Sequence, residues 1–166
     1  MYAKRADFMK VVPDPREAAY TEFFREAEPR LRRALGAAVG MEDGREAAAE
    51  ALAYGWEHWD RIAAMHNPVG YLYRVGRSKA RRRRRLVAET FIPPTVAHEP
   101  WCEPKLRSAL ARLSERQRVA VMLVHGFGYS TGEAGDLLGI EGGTAHKHAT
   151  RGLEKIRTAL RVDGHD

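Results

Sequence analysis

Apolar positions along the chain recur every three or four residues, and no stretch shows sustained apolar–polar alternation of the kind a strand needs. From Pro15 onward, Ala18, Ala19, Phe23, Phe24, Ala27, Leu31, Ala34, Leu35 and Ala38 trace one side of a helix. Asp14 can cap it, Pro15 suits its first position, and Glu17 can close a capping box. Pro29 inside the run predicts a kink or short break, and Gly40 an end. A second helix is expected from about Asp43 to Trp59, with Ala48, Leu52, Trp56 and Trp59 as its stripe. A third starts at Asn67-Pro68, a capping residue followed by proline. It carries Val69, Leu72, Tyr73, Val75 and Gly76 on its packed side and runs on into Arg81–Arg85.

After Leu86 the pattern lapses. "VAETFIPPTVAHEPWCEP", residues 87–104, holds four prolines, three glutamates and no Lys or Arg, which predicts an extended linker. Periodicity resumes with Leu106, Ala109, Leu110 and Leu113 on a short amphipathic helix. "SERQ", Ser114 to Gln117, is a capping box opening a helix through Val119, Met122 and Leu123, which "HGFGYS" breaks. "STGE", Ser130 to Glu133, opens another that ends at Leu138, and Gly139 suits the left-handed turn after it. The last helix is predicted from about Gly143 to Leu160, with Ala145, Ala149, Leu153, Ile156 and Leu160 on one face. The expected class is all-α: a three-to-four-helix bundle over 14–86, a linker over 87–104 and a helix-turn-helix bundle over 105–161.

Composition narrows the function. In 166 residues, 44% apolar and 30% charged content suits soluble helical modules and not a disordered chain. A single cysteine, Cys102, allows no disulfide within the chain and argues against a thiolate metal cluster. No apolar run reaches bilayer length, and "MYAKRADFMKVVPDPRE" lacks a signal-peptide core before its prolines. The expectation is a cytoplasmic, nucleoid-associated protein without membrane insertion. The net charge of +6 is local, because Arg77, Lys79 and Arg81–Arg85 supply more than all of it. Such a patch points to a polyanionic partner.

Candidate chemistry follows from two stretches. "STGEAGDLLGIEGGTAHKHATRGLEKIR" has the layout of a helix-turn-helix. Small residues Ala134 and Gly135 sit where two helices must approach, Gly139 turns the chain, and Ile140 plugs it. A longer helix then presents His146, Lys147, Thr150 and Arg151 outward, as a major-groove reader requires. In the first block, Trp56, Trp59, Tyr71 and Tyr73 lie near Arg74, Arg77 and Lys79 in sequence. That mixture can stack bases and neutralise phosphates, although the same aromatics stand at core spacing. His125, His146 and His148 have no acid or thiol to complete a metal site. No nucleophile–base pair is apparent, and the glycines of "GFGYSTG" join two helices without following a strand. Neither an enzyme, a metal nor a cofactor is expected.

Four stretches, "AAYTEFFREAEPRLRRAL", "NPVGYLYRVGRSKARRR", "LRSALARLSERQRVAVML" and "GYSTGEAGDLLGIEGGTAHKHATRGLEKIR", make the chain resemble a bacterial RNA polymerase sigma factor of the extracytoplasmic-function group, with regions 2 and 4 only. The resemblance implies three partners: core RNA polymerase, promoter DNA and an anti-sigma factor. Region 2 would hold the polymerase clamp through Glu46, Ala49 and Glu50. It would take the unpaired −10 element and its phosphates through Asn67, Tyr71, Arg74, Arg77, Ser78, Lys79, Arg81 and Arg82. Region 4 would read the −35 element through Thr144, His146, Lys147, His148, Thr150 and Arg151.

The chain departs from the family pattern at several of these places. Ala49 stands where the clamp-binding helix usually has glutamine, and Gly76-Arg77-Ser78 lacks the usual asparagine. Arg82 replaces an aspartate, and "TAHKH" replaces "TVKSR". Arg81–Arg85 exceed the pattern and are assigned to salt-sensitive phosphate attraction. The alternative is a sigma-like DNA-binding regulator, or a polymerase or anti-sigma docking module, without normal initiation activity.

Overall fold

A computed structural model describes residues 14–89 and 104–162, which form helices and connecting turns with no strand among them. Helix α1 spans Pro15–Val39, capped by the Asp14 carboxylate, which accepts the Arg16 amide at 3.0 Å. It passes through Pro29 without the expected break. Ala27 and Leu31, flanking the proline, are fully buried, and their packing holds the helix across the missing amide donor.

The helix expected from about Asp43 to Trp59 is α2 (Met41–Glu57), and a further short helix, α3 (Trp59–Ala63), follows it. They part at His58, whose Nδ1 lies 3.0 Å from the Tyr54 carbonyl oxygen. Helix α4, Pro68–Glu89, extends three residues beyond the expected boundary at Leu86. The rest of the proposed linker, 90–103, lies outside the described residues.

Helices α1 and α2 cross at glycines. A Cβ on Gly44 would overlap the backbone of Gly36, so only glycine lets the two axes come this close. Around the crossing lie Leu31, Ala34, Leu35, Ala47, Ala51, Leu52, Ile62 and Leu72, all buried. Each larger aliphatic side chain there contributes about 1.5–3 kcal/mol by leaving water. Tyr20 closes one end: its hydroxyl donates to the Leu52 carbonyl and its ring meets the Trp59 edge at 5.1 Å.

The second unit begins with α5 (Pro104–Ala111). Ser114 caps α6 (Glu115–Val121), accepting the Gln117 amide, and the chain then widens into a π-type turn over Met122–Gly126. Helices α7 (Thr131–Leu138) and α8 (Gly142–Val162) follow.

The two units pack directly together. Val119, Leu123, Ala134, Leu137 and Ala145 belong to the same buried cluster as Leu31, Leu35 and Leu72. A smaller cluster of Ala109, Leu113, Val121 and Ile156 lies beneath α5, α6 and α8. The carboxy-terminal end of α1, with no cation of its own, is capped from both sides. Arg118 of α6 donates to the carbonyls of Ala37 at 3.0 Å and Ala38 at 2.9 Å, while Arg84 of α4 donates to that of Val39. Both guanidinium groups sit at the negative end of the helix dipole.

Candidate nucleic-acid interface

The helix-turn-helix forms as the sequence predicts, for local reasons. Ser130 and Glu133 complete a reciprocal capping box, the Glu133 carboxylate accepting the Ser130 amide at 2.8 Å and the Ser130 hydroxyl accepting the Glu133 amide at 3.2 Å. Those bonds hold the Glu133 carboxyl below its ordinary range. Gly139 adopts φ +66°, a left-handed turn. A Cβ on Gly135 would stand 2.7 Å from the Ile140 carbonyl oxygen and 2.9 Å from the Gly142 nitrogen, so glycine is required where the turn folds back.

On α8 the register is the one the pattern gives. Ala145 and Ala149 are buried, whereas His146, Lys147, Thr150 and Arg151 are exposed together on the opposite face. Thr144 and His148 are half-buried at its margins.

On α4 the expected residues are placed differently from one another. Ser78, Lys79 and Arg82 are exposed. Asn67 caps the helix, its Oδ1 accepting the Gly70 amide at 2.8 Å, and donates through Nδ2 to the Asp136 carbonyl at the end of α7. The Arg74 guanidinium lies 6.0 Å from the Tyr71 ring and fills the space beside Gly139. Arg77 and Arg81 both pair with Glu115 of α6.

The arginine run is therefore only partly available to phosphate. Arg83 bridges Glu46 at 2.8 Å and Glu50 at 2.6 Å, and Arg84 pairs with Asp43 at 2.9 Å. The cations expected to be a solvated patch are largely cross-links from α4 to α2 and α6. The acids expected to face the polymerase, Glu46 and Glu50, share one of them.

The aromatic residues also separate. Trp59 and Tyr73 are core, and burial, assisted by the Glu115 charge, pushes the Tyr73 hydroxyl up to about 12. Trp56 lies at the surface under the Arg16 guanidinium, 4.5 Å from its ring. Tyr71 instead belongs to a group that sequence reasoning missed. Its hydroxyl is 3.3 Å from that of Tyr54, Arg61 donates to both, and His58 stacks on the Tyr54 ring at 4.1 Å. Residues 54, 58 and 61 stand at helical spacing, the one signal that could have grouped them. Ala49 is exposed on α2 beside Phe24, Ala53 and Trp56, which line a shallow cleft of about 420 Å³.

Residues 104–156 match the protein family described as sigma-70, region 4. Comparison with curated protein sequences gives no match. Among solved structures the chain is similar to the sigma factor RpoE of Bartonella quintana, crystallised in complex with the anti-sigma factor NepR. The TM-score is 0.60 at 23% identity, over 87% of this chain and 98% of that one. Residues 104–156 thus carry the pattern of a sigma-70 region 4, and the likeness to the solved sigma factor shows a shared all-α fold. No described helix is long and apolar enough to cross a membrane.

Proposed function

We propose that this chain joins core RNA polymerase and directs it to promoters through two surfaces of different chemistry. The exposed face of α8, with His146, Lys147, Thr150 and Arg151, enters the major groove of the −35 element, flanked by Thr144 and His148. The side of α4 that carries Tyr71, Arg74, Arg77, Ser78, Lys79, Arg81 and Arg82 follows the −10 strand together with Asn67 at its start. The α2 surface carrying Glu46, Ala49 and Glu50 meets the polymerase. Promoter recognition, and not chemical catalysis, is the role these surfaces serve, and it places the protein on cytoplasmic nucleoid DNA.

The observation that carries the reading is the split register of α8, alanines inward and a cationic, hydrogen-bonding face outward. Transcription in vitro with core polymerase and a genomic DNA library tests it. Specific run-off products that depend on the chain are expected. DNA footprints without polymerase and without transcripts would sink it.

One feature favours a second reading, a sigma-like regulator with weak initiation. Glu46 and Glu50 share the single Arg83 guanidinium, and an alanine stands at position 49 where the family pattern has a hydrogen-bonding side chain. DNA binding with weak retention of polymerase and few transcripts is the outcome that reading requires.

A further inference from the structure

Two of the α4 cations that the proposed function turns to the promoter, Arg77 and Arg81, are already engaged in the chain by itself. Arg77 and Arg81 stand one turn apart on α4 and close on the two oxygens of one carboxylate, that of Glu115. Arg81 Nη2 reaches Oε2 at 2.7 Å, and Arg77 holds Oε1. The carboxylate is only 24% exposed, so this is a partly dehydrated pair of contacts and not a loose surface bridge. Burial opposes its charge, yet the hydrogen bonds from Arg81 and Arg77 prevail and hold its carboxyl below the ordinary range. Two guanidinium groups converging on two anionic oxygens are the arrangement that a phosphodiester would satisfy equally well.

The same seam is closed at its other end. Asn67 donates to the Asp136 carbonyl, and the Arg74 guanidinium lies 2.8 Å from where a Cβ on Gly139 would stand. Three residues expected to touch the −10 strand, Asn67, Arg77 and Arg81, are thus held by α6 or α7, and Arg74 lies beside the turn after α7.

We infer that Arg77 and Arg81 form a phosphodiester-binding site on region 2, and that Glu115 of region 4 is its internal competitor. The strand reaches the site when α6 lifts away. The inference rests on the proposed promoter-facing role of α4 and adds to it a reason for the free protein to bind unpaired DNA poorly. Glu115 occupies the position of a phosphate, so DNA and the closed arrangement exclude each other.

The test measures binding of a short fluorescent single-stranded DNA to the full-length chain without polymerase. Glu115→Gln is expected to raise affinity roughly 3- to 10-fold at low salt. Glu115→Asp, which keeps the charge but withdraws the carboxylate by one methylene, moves affinity in the same direction. That variant separates release of the site from a simple change in net charge. Adding Arg77→Ala and Arg81→Ala to Glu115→Gln abolishes the gain.

Equal affinity of wild type, Glu115→Gln and Glu115→Asp overturns the inference, as does a gain that survives loss of both arginines. Run-off transcription by core polymerase with the wild-type chain is read in parallel. Its failure alongside a Glu115-dependent gain removes the promoter role and leaves the competitor in place. Its success without such a gain removes the competitor alone.

Discussion

Arg83 on α4 donates to the Glu50 carboxylate of α2 at 2.6 Å, across 33 residues of sequence, and its other amino group takes Glu46. The acids of the proposed polymerase surface are consequently held from inside the molecule. Replacing Arg83 by Gln frees both carboxylates for an external cation. Affinity for core polymerase is expected to rise about 3- to 10-fold, since exposed pairs of this kind are worth only ~0–1 kcal/mol each to the fold. Competition binding against a labelled sigma factor measures it. Unchanged affinity would take Glu46 and Glu50 off the polymerase surface.

Arg118 joins region 4 to the end of α1 through Ala37 and Ala38. Arg118→Ala removes two charge-assisted hydrogen bonds and is expected to cost about 2–4 kcal/mol of coupling between the units. Calorimetry should then resolve two thermal transitions where the wild type gives one. A single transition at an unchanged midpoint would show that the apolar contacts around Leu123 and Leu137 suffice by themselves.

Arg151 is exposed on the outer face of α8. If it contacts a base, Arg151→Ala weakens binding to the cognate −35 duplex by about 1–3 kcal/mol and relaxes selectivity at one position. Titrations against cognate and scrambled duplexes separate this from a phosphate contact, which would weaken both equally and reduce the salt slope.

Acid should loosen the seam between the units. The folded-state value of Glu115 is lowered from 4.5, so its contribution is fully present above that value and fades as pH falls through the lower one. Arg77 and Arg81 pair with it, and its charge acts on the buried Tyr73. Small-angle scattering is expected to show wild type expanding as pH falls below 4.5, towards dimensions that Glu115→Gln already has at neutral pH. Glu115→Gln should lack that step, and identical profiles would count against the ion pairs.

What was legible in the sequence is what is decided within a few residues. The helix-turn-helix was readable because the Ser130–Glu133 box, the Gly139 turn and the Ala145/Ala149 register are all local. The arginine run was not, because its partners lie far off in sequence. Glu115 is 34 residues from Arg81, and Asp43 is 41 from Arg84. A string of cations looks the same on paper whether it faces solvent or the acids of another helix. Glu115 itself was read only as part of a cap in "SERQ", which left its side chain without an assignment. His58 marks a third kind of loss: the short helix α3 that follows it is not reported by apolar spacing.

The end of α1 carries a consequence of its own. Its last carbonyls are divided between two clients, Val39 serving Arg84 from α4, and Ala37 and Ala38 serving Arg118 from α6 of the second unit. Were the second unit to separate, water would replace Arg118 at two carbonyls while the Arg84 fastening stayed in place. The joint is thus releasable: it comes apart at one side without unravelling the helix that forms its post.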